Sequence, residues 1–341
     1  MNLHQTTLSN GIRVVAEPIP TVQSLTVSLW IRAGSRDELP HQHGIAHFLE
    51  HMLFKGTQTR SAVQIAQAIE GRGGVLNAST GKELTFYYAR MLAEHMPIAV
   101  EVLSDLFLNA RLDPDDIELE KGVILEEMRM IEDTPDEILH DRITEVYWGD
   151  HPLARRIIGM PQTVSAFTRE MITEFIQTHY RPERVVVAAA GNLDPDALFK
   201  EVDRWLGRWN SEANTPELSP QPAPTRDPNA PNRHIETRDV EQTHFALVMD
   251  GVSFFDERRY AQADARLREL YEKTKDGKLK ELAREMVKVD PQGKAVKVRL
   301  RHRPTEPGEK VYIVDVPVQP DEAQPADNNR LERTVLVREA K

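Results

Sequence analysis

Six prolines fall between Glu212 and Arg233, in the polar stretch EANTPELSPQPAPTRDPNAPNR. Each proline removes a backbone donor and fixes φ, so neither a helix nor a sheet ladder runs through such a density of them, and the stretch reads as an extended linker. The 341 residues are thereby cut into an N-terminal domain, 1–211, the linker, 212–233, and a shorter C-terminal part, 234–341. Charge is unevenly spread as well. Arg266 to Arg303 carries 13 Lys+Arg against 6 Asp+Glu in a chain whose net charge is −11, which leaves −18 elsewhere. That acidity argues against general nucleic-acid affinity and favours cationic partners. Zero cysteines exclude disulfides, thiolate metal sites and a cysteine nucleophile, so any metal must be held by His, Asp or Glu. No apolar run approaches the roughly 20 residues of a membrane span. The start, MNLHQTTLSNG, lacks the zones of a signal peptide, so the expectation is a cytoplasmic protein with no membrane partner.

Alternation marks Ile12 to Ile19 and Leu25 to Ile31 as strands, with Asn10-Gly11 as a hairpin turn signal ahead of the first. Helical periodicity follows from Ile45 to Phe54 and again from Ser61, an N-cap, to Glu70, where Gly71, Gly73 and Gly74 stop it. Leu76 to Thr80 and Leu84 to Ala89 read as two further strands. Asp113 as N-cap and Pro114 at the first helical position open a helix through Met130. The run Arg184 to Ala190 is apolar and β-branched enough to be a buried strand, and Asp194 to Leu206 is a last helix. Together these elements predict an α+β fold, a mixed and mostly antiparallel sheet covered by helices, followed by a shortened second α+β domain. Beyond the linker, EQTHFALVMDGVS loosely echoes VQSLTVSLWIRAGS. Chance similarity between two amphipathic strands is an equal account of that echo.

His47, Glu50 and His51 form HFLEH. On a helix the two histidines stand one turn apart on one face, so both imidazoles reach one cation, and Glu50 beside them reaches a water on it. This is the inverted zinc pattern HxxEH. A hydrolytic site needs a third protein ligand from a separate element and one open position. Glu120 and Glu127, seven residues apart on the helix opened by Asp113-Pro114, lie on one face of it and meet that need. By spacing alone, Glu118 and Glu126 compete with them.

The run HGIAHFLEHMLFKGT, then GRGGVLNASTGKELTFYYA, LEKGVILEEMRMIEDTPDE, DHPLARRIIG and YRPERVVVAAAGNLD resembles the pitrilysin-type zinc metallopeptidases, in the branch that includes mitochondrial processing peptidase β subunits and their bacterial relatives. The resemblance extends from Leu8 to about Ala265. It implies that His47, His51 and Glu127 bind Zn2+, that Glu50 is the general base toward a zinc-activated water, and that Glu120 is a supporting catalytic acid. It also implies that Asn77 and Ala78 lie on an edge strand that receives substrate as an added strand; without the family, NAST reads as a turn and strand start. The expected function is a zinc-dependent endopeptidase acting on extended, basic peptides or unfolded protein, as a homodimer or with a homologous partner subunit. The alternative is a catalytically weak member that serves as a peptide-binding or partner subunit. The family's GGGMSSRLF-like and R-G-L-x-Y segments have no counterpart here. VKVRLRHR presents a cationic strand face with almost no aromatic residues nearby, which disfavours nucleic acid as a partner.

Overall fold

The computed structural model describes residues 3–210, Glu236, Ala246 and three later strands, Arg299–Pro304, Lys310–Asp315 and Leu336–Arg338. By packing, the chain divides into one unit of Met1–Met130 with Asp150–Gln221 and another of Ile131–Gly149 with Pro222–Lys341. The readings placed on the linker, on the basic segment up to Val298 and on the repeat near His244 lie outside the described residues. So does most of the expected second domain.

The first unit is built on six strands: β1 (His4–Thr7), β2 (Arg13–Pro18), β3 (Ser24–Ile31), β4 (Val75–Thr80), β5 (Thr85–Leu92) and β6 (Val185–Gly191). Their order is β1-β2-β6-β3-β5-β4. Only β2 and β6 run parallel; the other pairs are antiparallel, so the sheet is mixed and mostly antiparallel. Gly11, at φ +97, turns β1 into β2 in the left-handed conformation that glycine alone adopts freely. Alternation decides what is buried. Leu25, Val27, Leu29 and Ile31 of β3 and Tyr87, Ala89 and Met91 of β5 point into the core, as do Val185, Val187 and Ala189 of β6. β6, expected as a buried strand, is buried on one face: Val186 and Ala188 are half-buried and Ala190 is exposed. An unbroken apolar run conceals this one-sidedness because alanine is tolerated on either face.

Helices of the first unit cover the apolar face. α1 (Ile45–Leu53), α2 (Ala62–Ile69), α3 (Met96–Asn109) and α4 (Pro114–Asp133) precede α5 (Pro135–Trp148), α6 (Pro161–Ser165), α7 (Arg169–His179) and α8 (Pro195–Leu206). α3 packs on β3 and β5, and α8 on β2 and α3. Leu198, Val202 and Leu206 of α8 are fully buried at a four-residue spacing, each contributing about 1.5–3 kcal/mol of hydrophobic stabilisation. Asp194 caps the helix, accepting from Asp196 N at 3.2 Å. α5 belongs to the second unit, where β7 (Arg299–Pro304), β8 (Lys310–Asp315) and β9 (Leu336–Arg338) form an antiparallel sheet with β8 central.

α1 shows how the sequence sorts its two faces. Ile45, Ala46, Phe48, Leu49, Met52 and Leu53 are buried, with Phe48 edge-on to Phe167 at 5.3 Å. The remaining positions, His47, Glu50 and His51, form the opposite face. The helix starts at Gly44, φ +97, pressed against Gly159, φ +86. A Cβ on Gly159 would fall 2.5 Å from His43 O and 2.7 Å from Gly44 Cα. Gly159→Ala is therefore expected to cost about 2–4 kcal/mol, from positive φ and from overlap that only backbone movement relieves. Denaturant unfolding checks this; a midpoint equal to that of wild type would show that the two loops separate freely.

Candidate metal centre

α1 and α4 bring three side chains together. His47 Nε2 lies 3.9 Å from Glu127 Oε1, and His51 Nε2 lies 3.8 Å from Glu127 Oε2. One ligand atom from each of the three falls within 4.8 Å of the others, and this is the one such group of three or more among the described residues. A zinc ion with bonds of about 2.0–2.2 Å holds its tetrahedral ligand atoms roughly 3.3–3.5 Å apart, so small torsional adjustments close the set. Two imidazoles and one carboxylate suit zinc, and a three-ligand set leaves a position open.

The second ring nitrogen of His51 fixes the arrangement. Nδ1 lies 2.7 Å from Glu120 Oε1, and Glu120, buried on α4, also takes an ion pair from Lys55. With Nδ1 committed to that carboxylate, Nε2 is the nitrogen turned toward Glu127. Burial pushes the Glu120 carboxyl up, but hydrogen bonds and charge from His51 and Lys55 outweigh it and hold Glu120 below the usual carboxylate range. For His51, burial acts downward and the hydrogen bond and charge of Glu120 act upward, with Glu127 and Glu50 adding to them; the net position is above the ordinary histidine value. His47 is pushed down to about 4 by burial and by its neighbour His51, which keeps its imidazole neutral.

Glu50 projects from the same face of α1 and accepts from Thr80 Oγ1, at the end of β4. Burial raises its carboxyl above the ordinary value against that hydrogen bond. Among the described residues β4 is an edge strand. On it Asn77 is exposed and Ala78 half-buried, and Asn77 Oδ1 accepts from Ala78 N at 2.8 Å. The competing acids point elsewhere: Glu118 pairs with Lys121 at 2.6 Å and Glu126 with Arg129 at 2.5 Å, both on the exposed side of α4. Thr80 and Lys55 are contacts that spacing does not reveal, because a strand end and a helix-following loop reach the site only through the fold.

An α+β sheet carrying an inverted HxxEH helix, with a carboxylate from a later helix beside both histidines, makes a candidate metal centre. Residues 13–161 match the family model "Insulinase (Peptidase family M16)", and residues 166–266 match "Peptidase M16 inactive domain". The chain belongs to peptidase family M16. It is 46% identical over 243 residues to a protein of Mycobacterium tuberculosis named as an uncharacterized zinc protease, covering 71% of this chain and 55% of the relative. To the mitochondrial-processing peptidase subunit beta of Saccharomyces cerevisiae it is 37% identical over 254 residues, 72% of this chain and 54% of that one. A protease from Helicobacter pylori superposes with a TM-score of 0.62 at 25% identity, over 74% of this chain and 58% of its own. The chain thus spans a little over half the length of these relatives.

Proposed function

We propose that this chain is a zinc endopeptidase of the processing-peptidase type, acting on extended, basic peptides. The observation that carries the reading is the convergence of His47, His51 and Glu127 on one point, with Glu50 held beside them by the edge strand. When bound, zinc polarises a carbonyl and lowers the pKa of a water to about 7. Glu50 then takes the proton of the attacking water and passes it to the leaving amine. Thr80 orients Glu50 by its hydrogen bond, and Glu120 holds His51 in the ligating tautomer. Asn77 and Ala78 receive the peptide as an added strand along β4, where the substrate displaces the Asn77 side chain from the Ala78 N–H. Residues 1–211 form the catalytic domain of this proposal, 212–233 a linker and 234–341 a short second domain.

The test is metal analysis of the purified chain with cleavage of a long unstructured peptide, with and without a chelator. Bound zinc and chelator-sensitive cleavage are expected; cleavage that survives metal removal would overturn the reading. The preference for basic peptides rests on the −18 outside the basic segment and should fade as salt rises. A second reading, a weakly active chain completed by a homologous partner subunit, is favoured by the missing R-G-L-x-Y segment. It predicts that such a partner raises the rate without changing metal content.

Zinc binding also carries a proton count. At pH 6 His47 is already neutral, with its value at about 4, whereas His51, held above its ordinary value, is protonated. Binding is therefore expected to release about one proton, from His51, and to weaken as pH falls. Calorimetry in two buffers of different ionisation enthalpy measures the number. A release of two protons would show that His47 is not held neutral.

A further inference from the structure

The first turn of α1 is capped from outside the helix. A helix leaves its first N–H groups without intrahelical partners, and an N-cap side chain ordinarily takes one of them. Gly44 has no side chain to offer, and at φ +97, with a Cβ position 2.7 Å from Gly159 Cα, no other residue fits there. Glu38, six residues upstream and only 3% exposed, does the work instead. Its Oε2 accepts from Gly44 N at 2.9 Å and its Oε1 from Ala46 N at 3.0 Å. Ala46 immediately precedes His47.

The cap is itself anchored. Arg155 donates to the Glu38 carbonyl, His43 Nε2 lies 2.8 Å from Arg156 O, and Thr163 Oγ1 donates to His43 O at 2.6 Å. The loop before α1 is thus tied at three points to the segment around α6. Burial drives the Glu38 carboxyl up to about 8, against the two N–H bonds and the Arg155 charge. The two N–H donors call for the ionised form, whose two oxygens both accept and which predominates above that value.

We propose that Glu38 is a positioning residue for the metal centre: by clamping the N–H groups of Gly44 and Ala46 in the first turn, it sets the start and rotation of α1 so that His47 and His51 meet Glu127. The proposal rests on the metal-site reading above. It separates from plain stability because it concerns the placement of two ligands rather than the persistence of the fold.

Glu38→Gln tests it. The amide keeps the shape but offers a single acceptor oxygen, and its NH2 faces the other backbone donor, leaving one buried N–H without a partner. Zn2+ affinity, read by competition with a chromophoric chelator, is expected to fall about 10- to 100-fold, with kcat reduced and KM little changed. Val202→Ala, a core truncation in α8, serves as a control for lost stability and is expected to bind Zn2+ as wild type does. The proposal is overturned if folded Glu38→Gln binds Zn2+ within about twofold of wild type, or if Val202→Ala weakens binding equally. Should Glu38→Gln not fold, amide exchange in the wild-type chain decides. Gly44 and Ala46 are expected to be protected like the interior of α1, and exchange at open-loop rates would refute the clamp. Absence of Zn2+ binding by the wild type would instead sink the metal-site reading, while the exchange data would still judge Glu38.

Discussion

Glu50→Gln is expected to lower turnover by about 100- to 10,000-fold while leaving zinc content at the wild-type level. Glu50 stands outside the three-residue ligand group, so its loss as a base does not loosen the metal. Glutamine has the same shape and still accepts from Thr80, which keeps the helix face and the edge strand in place. What disappears is the basic oxygen. Glu50 must be ionised to act, and burial raises its carboxyl above the ordinary value. Activity should therefore fall as pH drops and Glu50 is protonated. Peptide turnover beside elemental analysis checks both halves. Loss of zinc in step with activity would make Glu50 a ligand, and wild-type turnover would remove it from the mechanism.

His51→Ala should have the opposite signature, with metal and activity lost together. If the roughly 10–16 kcal/mol of a four-ligand zinc site is shared evenly, one ligand accounts for about 2.5–4 kcal/mol, a drop in affinity of roughly 70- to 1,000-fold. The change also leaves buried Glu120 with Lys55 as its remaining charge partner. By contrast, Glu118→Ala and Glu126→Ala, which remove acids paired on the exposed side of α4, are expected to keep full zinc occupancy. Dialysis against a weak chelator followed by metal analysis separates these cases. Full occupancy after His51→Ala would show that the inverted motif is not the site.

The elements legible in the sequence were those whose burial is one-sided. β3 alternates strictly, α1 carries HxxEH on the side its apolar residues leave free, and Ser61 and Asp194 announce helix starts with side chains that accept from Gln64 N and Asp196 N. α3 escaped for the reverse reason. It is buried almost all round, Ser104 and Asp105 included, so no apolar stripe stands out against a polar one. α7 did carry a signal, a Thr168 cap followed by buried Ile172, Phe175 and His179. At the site, HxxEH is local and therefore readable. Spacing narrows the candidate third ligand to four acids on one helix, and it is the rotation of α4 that turns Glu127 rather than Glu126 toward the histidines. Glu38, Lys55 and Thr80 come from a loop and a strand end that no periodicity ties to His47.

The place of β6 has a consequence for how the molecule is made. β6 lies between β2 and β3, pairing Val14 with Val187 on one side and Leu29 with Val187 on the other. Every residue of the metal cluster has been synthesised by Glu127, yet the middle of the sheet is absent until Gly191 clears the ribosome. Until then β2 and β3 present facing open edges, each a template for pairing with another chain. Nascent chains stalled between these two points should accordingly be chaperone clients, and they should become compact and protease-resistant only after the strand at 185–191 has emerged.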